Sequence, residues 1–92
     1  IQLPNITSAK KRMRQNAKRR LRNRMVRTKA RTFVKKANES LASGDAESAT
    51  EAVRQAMSQL DRAAQKGTLH TRNADRRKAR LAKRLATLVR SV

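Results

Sequence analysis

Along most of this chain apolar residues recur at steps of three and four, and no segment alternates apolar with polar residues as a half-buried strand does, so the pattern is helical. In the middle, Ala49, Ala52, Val53, Ala56, Met57, Leu60, Ala63 and Ala64 fall on one face at 3.6 residues per turn. Toward the end, Ala74, Leu81, Leu85, Leu88, Val89 and Val92 fall within roughly 100° of arc, while Arg76, Arg77, Arg80, Lys83 and Arg84 occupy much of the remainder. The beginning behaves differently in its two halves. Counted from Met13, the residues Val26, Ala30, Phe33, Val34, Ala37 and Leu41 gather between about 200° and 300°. Met13, Ala17, Leu21 and Met25 form a weaker strip between about 0° and 120°, ringed by basic residues, that does not line up with the first.

Breaks in the pattern coincide with capping chemistry. Pro4 and the Thr7-Ser8 pair suit a helix start, Gly44-Asp45 a stop followed by an N-cap, and Gly67 with Thr68 or Thr71 a second stop and restart. The spacing therefore predicts helices over 8–42, 46–66 and 71–90. At 1.5 Å per residue the first is about 50 Å long and the others about 30 Å, which leaves roughly 20 Å of overhang. The predicted fold is all-α: a three-helix antiparallel bundle in a single domain spanning 1–92, with a long, basic N-terminal helix whose 8–25 part projects. Phe33, Val34, Leu60, Leu81 and Leu85 are its expected core.

Charge sharpens the picture. The 92 residues carry 25 Lys or Arg against 6 Asp or Glu, a formal charge of +19, which points to a polyanionic partner, nucleic acid first. Residues 1–36 hold fourteen basic residues and no acidic one, 37–65 hold two against five, and 66–92 hold nine against one. Within residues 10–24, KKRMRQNAKRRLRNR, six like-charged pairs lie three or four apart. At about 0.2–0.5 kcal/mol each they oppose an isolated helix by roughly 1–3 kcal/mol. The free segment is expected to fray, and phosphates on several sides to order it.

Composition also excludes. Cysteine is absent, which excludes disulfides and Cys-based metal sites, and with one histidine a zinc site has almost no ligands, so no catalytic constellation, cofactor or metal is expected. No apolar run is long enough to span a membrane or to act as a secretory signal. An Arg-rich, acid-free start also suits an organelle transit peptide, but the basic second half argues against one. The single aromatic, Phe33, lies on the core stripe, so base-stacking platforms cannot be built and recognition must go through phosphates and shape. The helices are too long, and their turns wrong, for a helix-turn-helix. Gln15, Asn16 and Asn23 can reach bases or sugars, or simply remain solvated. His70 contacts RNA, caps a helix or packs in its turn. The three methionines read as packing residues, and the sequons at Asn5 and Asn38 matter only in a secreted protein. Charge alone also permits a DNA-compacting protein. A membrane-active cationic helix is disfavoured by the weak strip of residues 13–25.

The stretches NITSAKKRMRQ, RTFVKK, LDRAAQKGTLH and RRKARL resemble those of the bacterial small-subunit ribosomal protein family numbered twenty, from Asn5 to Leu85, with LDRAAQKG followed by His70 the most specific. The resemblance implies a three-helix bundle with an extended first helix, no enzymatic activity, and direct binding to small-subunit ribosomal RNA that aids folding and subunit assembly. It also implies a monomer within the ribosome, few or no protein neighbours, no membrane, and a bacterial cytoplasm or an organelle. Carried over onto this chain, the RNA contacts are Ser8, Lys10, Lys11, Arg12, Arg14 and Gln15, then Arg31, Lys35 and Lys36, then Lys66, His70, Arg76, Lys78 and Arg80. Charge and the overhang add Lys18, Arg19, Arg20, Arg22, Asn23, Arg24, Arg27 and Arg77 as expected contacts. The chain departs from the family where Thr71-Arg72 follow the histidine in place of Lys-Asn, and where Asp75 replaces a small residue. The start IQLP extends beyond the usual beginning, as a lineage-specific extension or a remnant of processing.

Overall fold

Two glycines set where this chain reverses. In a computed structural model that describes the backbone of residues 2–91 and the side chains of 8–91, both adopt positive φ, +82° at Gly44 and +73° at Gly67. Three helices result: α1 (Gln2–Ser43), α2 (Ala46–Gln65) and α3 (Thr71–Ser91). Asp45 is the N-cap of α2, its Oδ1 accepting the Glu47 N–H at 3.2 Å. At the other end of α2 the Gly67 N–H bonds to the Ala64 carbonyl and the Thr68 N–H to that of Ala63, each at 3.0 Å, a Schellman closure that needs the left-handed Gly67.

Two details depart from the sequence reading. α1 begins at Gln2 rather than at residue 8. Pro4 falls in its first turn, where a missing N–H has no intrahelical partner to lose, so it does not delay the helix. The restart before α3 is capped by His70 rather than by Thr68 or Thr71. Its carbonyl accepts the Ala74 N–H at 3.1 Å, and its Nδ1 accepts the Arg72 N–H at 3.2 Å. Through residues 10–24 the helix is unbroken, in line with the predicted span of 8–42. Propagation from an anchored end adds one bond per residue, and every cation there is exposed, where water weakens the repulsion.

The core lies where α1, α2 and α3 overlap. It comprises Ala30, Ala37, Leu41, Ala49, Val53, Ala56, Leu60, Ala63, Ala74 and Leu81. Six of these ten are alanines. In α2, Ala49, Ala56 and Ala63 stand seven apart, as do Val53 and Leu60, and in α1 so do Ala30 and Ala37. A seven-residue repeat keeps one seam facing its partner along an antiparallel pair, and alanine lets the two backbones approach closely. Burying Val53 and Leu60 contributes about 1.5–3 kcal/mol each. Of the expected core, Leu60 and Leu81 are buried, whereas Phe33, Val34 and Leu85 are half-buried against it. Three helices that overlap over only about 20 residues enclose little interior, which leaves the larger side chains one flank in water. Val92 lies outside the described residues.

α2 is central: α1 packs mainly on it, α3 packs on its other flank, and α3 touches α1 least. Thr68 meets Asn23 and Arg84 meets Asn38, so α1 and α3 run parallel and each is antiparallel to α2. Because α2 has 20 residues against the 42 of α1, about 30 Å of α1 runs beyond the bundle. This exceeds the 20 Å expected from sequence by the six added residues. The molecule measures 72 × 20 × 13 Å.

Candidate nucleic-acid interface

Extrapolating the bundle-facing line of α1 toward its start brings Asn23, Arg19, Arg12 and Ser8 to the positions that Ala30 and Ala37 occupy farther on. Hydrophobic packing therefore has nothing to continue with, and the bundle stops. From Ser8 to Arg22 every residue is exposed, including Lys10, Lys11, Arg12, Arg14, Gln15, Lys18, Arg19 and Arg20. With Arg24 and Arg27 they place cations around the full circumference of the helix. Among the described residues no acidic side chain precedes Glu39.

At the foot of this overhang a cleft of about 590 Å³ is lined by Arg19, Arg22, Asn23, Val26 and Lys66. Three cations thus converge where α1 meets the end of α2. Asn23 is half-buried and its Oδ1 accepts from Thr68 Oγ1 at 3.3 Å, so its carbonyl is committed to holding the turn. Sequence reasoning treated Asn23 as a free contact residue and could not see that partner, 45 positions away.

A second basic surface lies between α1 and α3. A cleft of about 370 Å³ is lined by Val34, Asn38, Arg77, Arg80, Leu81 and Arg84. A smaller one of about 50 Å³, lined by Arg27, Ala30, Arg31, Ala63, Leu69 and Arg77, adjoins it through Arg77. The five arginines Arg27, Arg31, Arg77, Arg80 and Arg84 thus border one continuous groove with an apolar floor, and none of the lining residues is acidic. Planar guanidinium groups fit phosphate oxygens two at a time, so such a groove suits a phosphodiester strand. Arg84 was on the basic face of α3 in the sequence but not among the expected contacts. Its hydrogen bond to Asn38 across the groove brings it in, and no periodicity signals that pairing.

The remaining candidates divide. Arg76 and Lys35 are exposed, and the Lys36 Nζ sits 5.4 Å from the centroid of the Phe33 ring, on the α2 side of α1. His70 is exposed, but its Nδ1 is occupied by the cap. Lys78 is half-buried and pairs with Asp61 of α2 at 2.6 Å. The hydrogen bond that the Lys78 Nζ donates to that carboxylate raises the Lys78 pKa, partial burial opposes the shift, and the nearby charges of Asp61 and Asp75 add to it. Lys78 therefore ties α3 to α2 and is the least available of the basic residues. At the opposite end of the bundle, Asp45, Glu47 and Glu51 line a shallow cleft, where Arg54, at 3.1 Å, holds the Glu51 carboxyl below the usual carboxylate range. The molecule is thus strongly cationic along α1 and the α1–α3 groove and acidic at the first turn.

Among the described residues no helix is long and apolar enough to cross a membrane, and no cluster of histidine and carboxylates could hold a metal ion.

Comparison with known proteins places these features in context. Residues 4–86 match the family model described as Ribosomal protein S20. The chain is 51% identical over 89 residues to the small ribosomal subunit protein bS20 of Thermomicrobium roseum, covering 97% of this chain and 90% of that one. It is 51% identical over 84 residues to the bS20 protein of Roseiflexus sp., covering 91% of each chain. Against the bS20 protein of Salinispora tropica the identity is 46% over 85 residues, covering 92% of this chain and 97% of that one.

Proposed function

The chain belongs to the ribosomal protein S20 family, and on that premise we propose that it binds small-subunit ribosomal RNA directly, through phosphates and shape, and aids the folding of that RNA during subunit assembly. As a member of that family it is a structural component of the small ribosomal subunit and not an enzyme.

The observation that carries the RNA reading is the distribution of charge on a scaffold too thin to hide it. The cations of the overhang surround a length of α1, residues 8–22, that is exposed throughout, and five arginines border the α1–α3 groove. Holding so much like charge together is unfavourable until phosphates approach, and binding then releases their condensed counterions. A helix that is cationic on every side neutralises RNA segments on more than one side of itself. That is the physical route by which it aids folding: strands that repel one another come together on a shared cation.

The RNA-contacting set is Ser8, Lys10, Lys11, Arg12, Arg14, Gln15, Lys18, Arg19, Arg20, Arg22 and Arg24 on the overhang. Arg27, Arg31, Lys35, Lys36, Lys66, Arg76, Arg77 and Arg80 follow on the bundle, with Arg84 joining them. Asn23, His70 and Lys78 act chiefly by holding the scaffold, as their hydrogen bonds support. The protein works as a monomer with few protein neighbours, in the ribosomes of a bacterial cytoplasm. Equilibrium binding at moderate salt tests the reading. Preference for small-subunit ribosomal RNA over bulk RNA is the expected result, and equal or tighter affinity for duplex DNA would indicate a DNA-compacting protein instead.

A further inference from the structure

Large apolar side chains have little reason to stay in water on so polar a helix, yet three do. Met13 is 69% exposed, Leu21 59% and Met25 64%. With Ala17 they form one row at steps of four along α1, about 18 Å from end to end. At 100° per residue this row lies about 170° from the direction of Ala30 and Ala37, so it faces directly away from the bundle and cannot be reached by α2 or α3.

The neighbouring rows decide what can cover it. Steps of four also generate the row Lys10, Arg14, Lys18 and Arg22 along one flank. On the other flank the row is Asn16, Arg20, Arg24 and Thr28. An apolar ridge thus runs between two edges that both carry cations. A core-forming partner helix offers apolar contact without two parallel lines of negative charge beside it, and a strip one row wide is too narrow to seat the helix in a lipid surface. The wide, shallow minor groove of an RNA duplex offers both: a floor of ribose faces and base edges, and a row of phosphates along each rim.

We propose that the Met13–Ala17–Leu21–Met25 ridge of α1 docks along the minor groove of an RNA duplex, its side chains packing on ribose faces while the two flanking rows reach the phosphates of opposite strands. This rests on the reading of the chain as a small-subunit RNA binder and specifies how the overhang is seated. The unbranched thioethers of Met13 and Met25 suit an irregular sugar surface because they adapt their shape to it.

The test separates ridge from charge. A triple variant, Met13→Gln, Leu21→Gln and Met25→Gln, keeps every cation and the helix propensity of the segment and touches no core residue. Its thermal unfolding should match that of the unsubstituted chain. Affinity for small-subunit ribosomal RNA should fall about tenfold or more at every salt concentration, with the salt slope unchanged, because apolar contact is lost and phosphate contact is not. Hydroxyl-radical protection of minor-groove riboses along one duplex should weaken selectively. Unchanged affinity overturns the docking. So does a self-associating chain, seen by sedimentation equilibrium, that the triple variant converts to monomer, because the ridge would then be covered by a second copy. Failure of the unsubstituted chain to prefer small-subunit RNA would count instead against the underlying reading.

Discussion

Thr68 Oγ1 donates a hydrogen bond to Asn23 Oδ1 at 3.3 Å, and that contact stands where the long helix leaves the bundle. On one side of it every residue of α1 back to Ser8 is exposed; on the other, Val26 and Ala30 begin the core. Thr68 belongs to the turn that closes α2, so a single side-chain bond links the exit point of α1 to the restart of the chain toward α3. Arg19, Arg22 and Lys66 surround the same spot.

Replacing Thr68 by valine keeps its shape and removes the donor. Stability should fall by about 0.5–1.5 kcal/mol, the usual contribution of one partly buried hydrogen bond. The dependence of RNA affinity on salt should not change, because no cation has been removed. Urea unfolding and binding at several salt concentrations read the two effects separately.

The Lys78–Asp61 pair gives a signed pH dependence. Lys78 has a raised pKa in the folded chain, so the pair's stabilisation is fully present below the ordinary lysine range, above about pH 10 begins to fade, and is lost once pH passes the raised value. Asp61→Asn should therefore lower the melting temperature at pH 7, and the deficit should shrink as the solution is taken through that alkaline range. A deficit that persists undiminished would assign the effect to something other than the ammonium.

The alanine seam predicts an inverted size rule. Ala56 is fully buried on the heptad line of α2, so Ala56→Leu forces the helices apart and should cost about 1–3 kcal/mol. Leu60→Ala, one turn on, leaves a void and should cost about 2–5 kcal/mol. Each kcal/mol corresponds to about 4–8 °C in the melting temperature of a chain this size. Differential scanning calorimetry on the two single variants would show both falls.

Two sets of arginines can be compared on equal terms. Substituting Arg19, Arg20 and Arg22 by glutamine removes three charges from the overhang, and substituting Arg77, Arg80 and Arg84 removes three from the α1–α3 groove. If each side chain meets one phosphate, the slope of log affinity against log salt should fall by about two to three units in either case. An unchanged slope for one set would place that surface in solvent.

The element pattern was readable because it depends on local spacing. The stripe from Ala49 to Ala63 appears in the sequence as it appears in the core, and Gly44 and Gly67 stand where left-handed φ is required. What could not be read depends on partners distant in the chain or on backbone that signals little. The spacing left His70 open between RNA contact, helix cap and packed turn residue, and only the geometry of the Schellman closure selects the cap. Pro4 looked like a boundary because a proline inside a helix is costly, but in the first turn it costs no bond. The α1–α3 groove is legible only once α1 and α3 are known to run parallel, because Arg27 and Arg31 share no periodicity with Arg77, Arg80 and Arg84. Phe33, Val34 and Leu85 were expected inside because they fall on the apolar stripes, but so small a bundle has more large apolar side chains than it has interior.

The length of α1 has a practical consequence in solution. The radius of gyration is 18.8 Å, whereas a compact chain of this size has about 12 Å, and 18.8 Å is what a globular protein of about 280 residues would show. A monomer of this chain would leave a gel-filtration column earlier than a compact protein of its own mass. Its stoichiometry must be weighed by a method that reads mass directly, or the overhanging helix will pass for extra subunits.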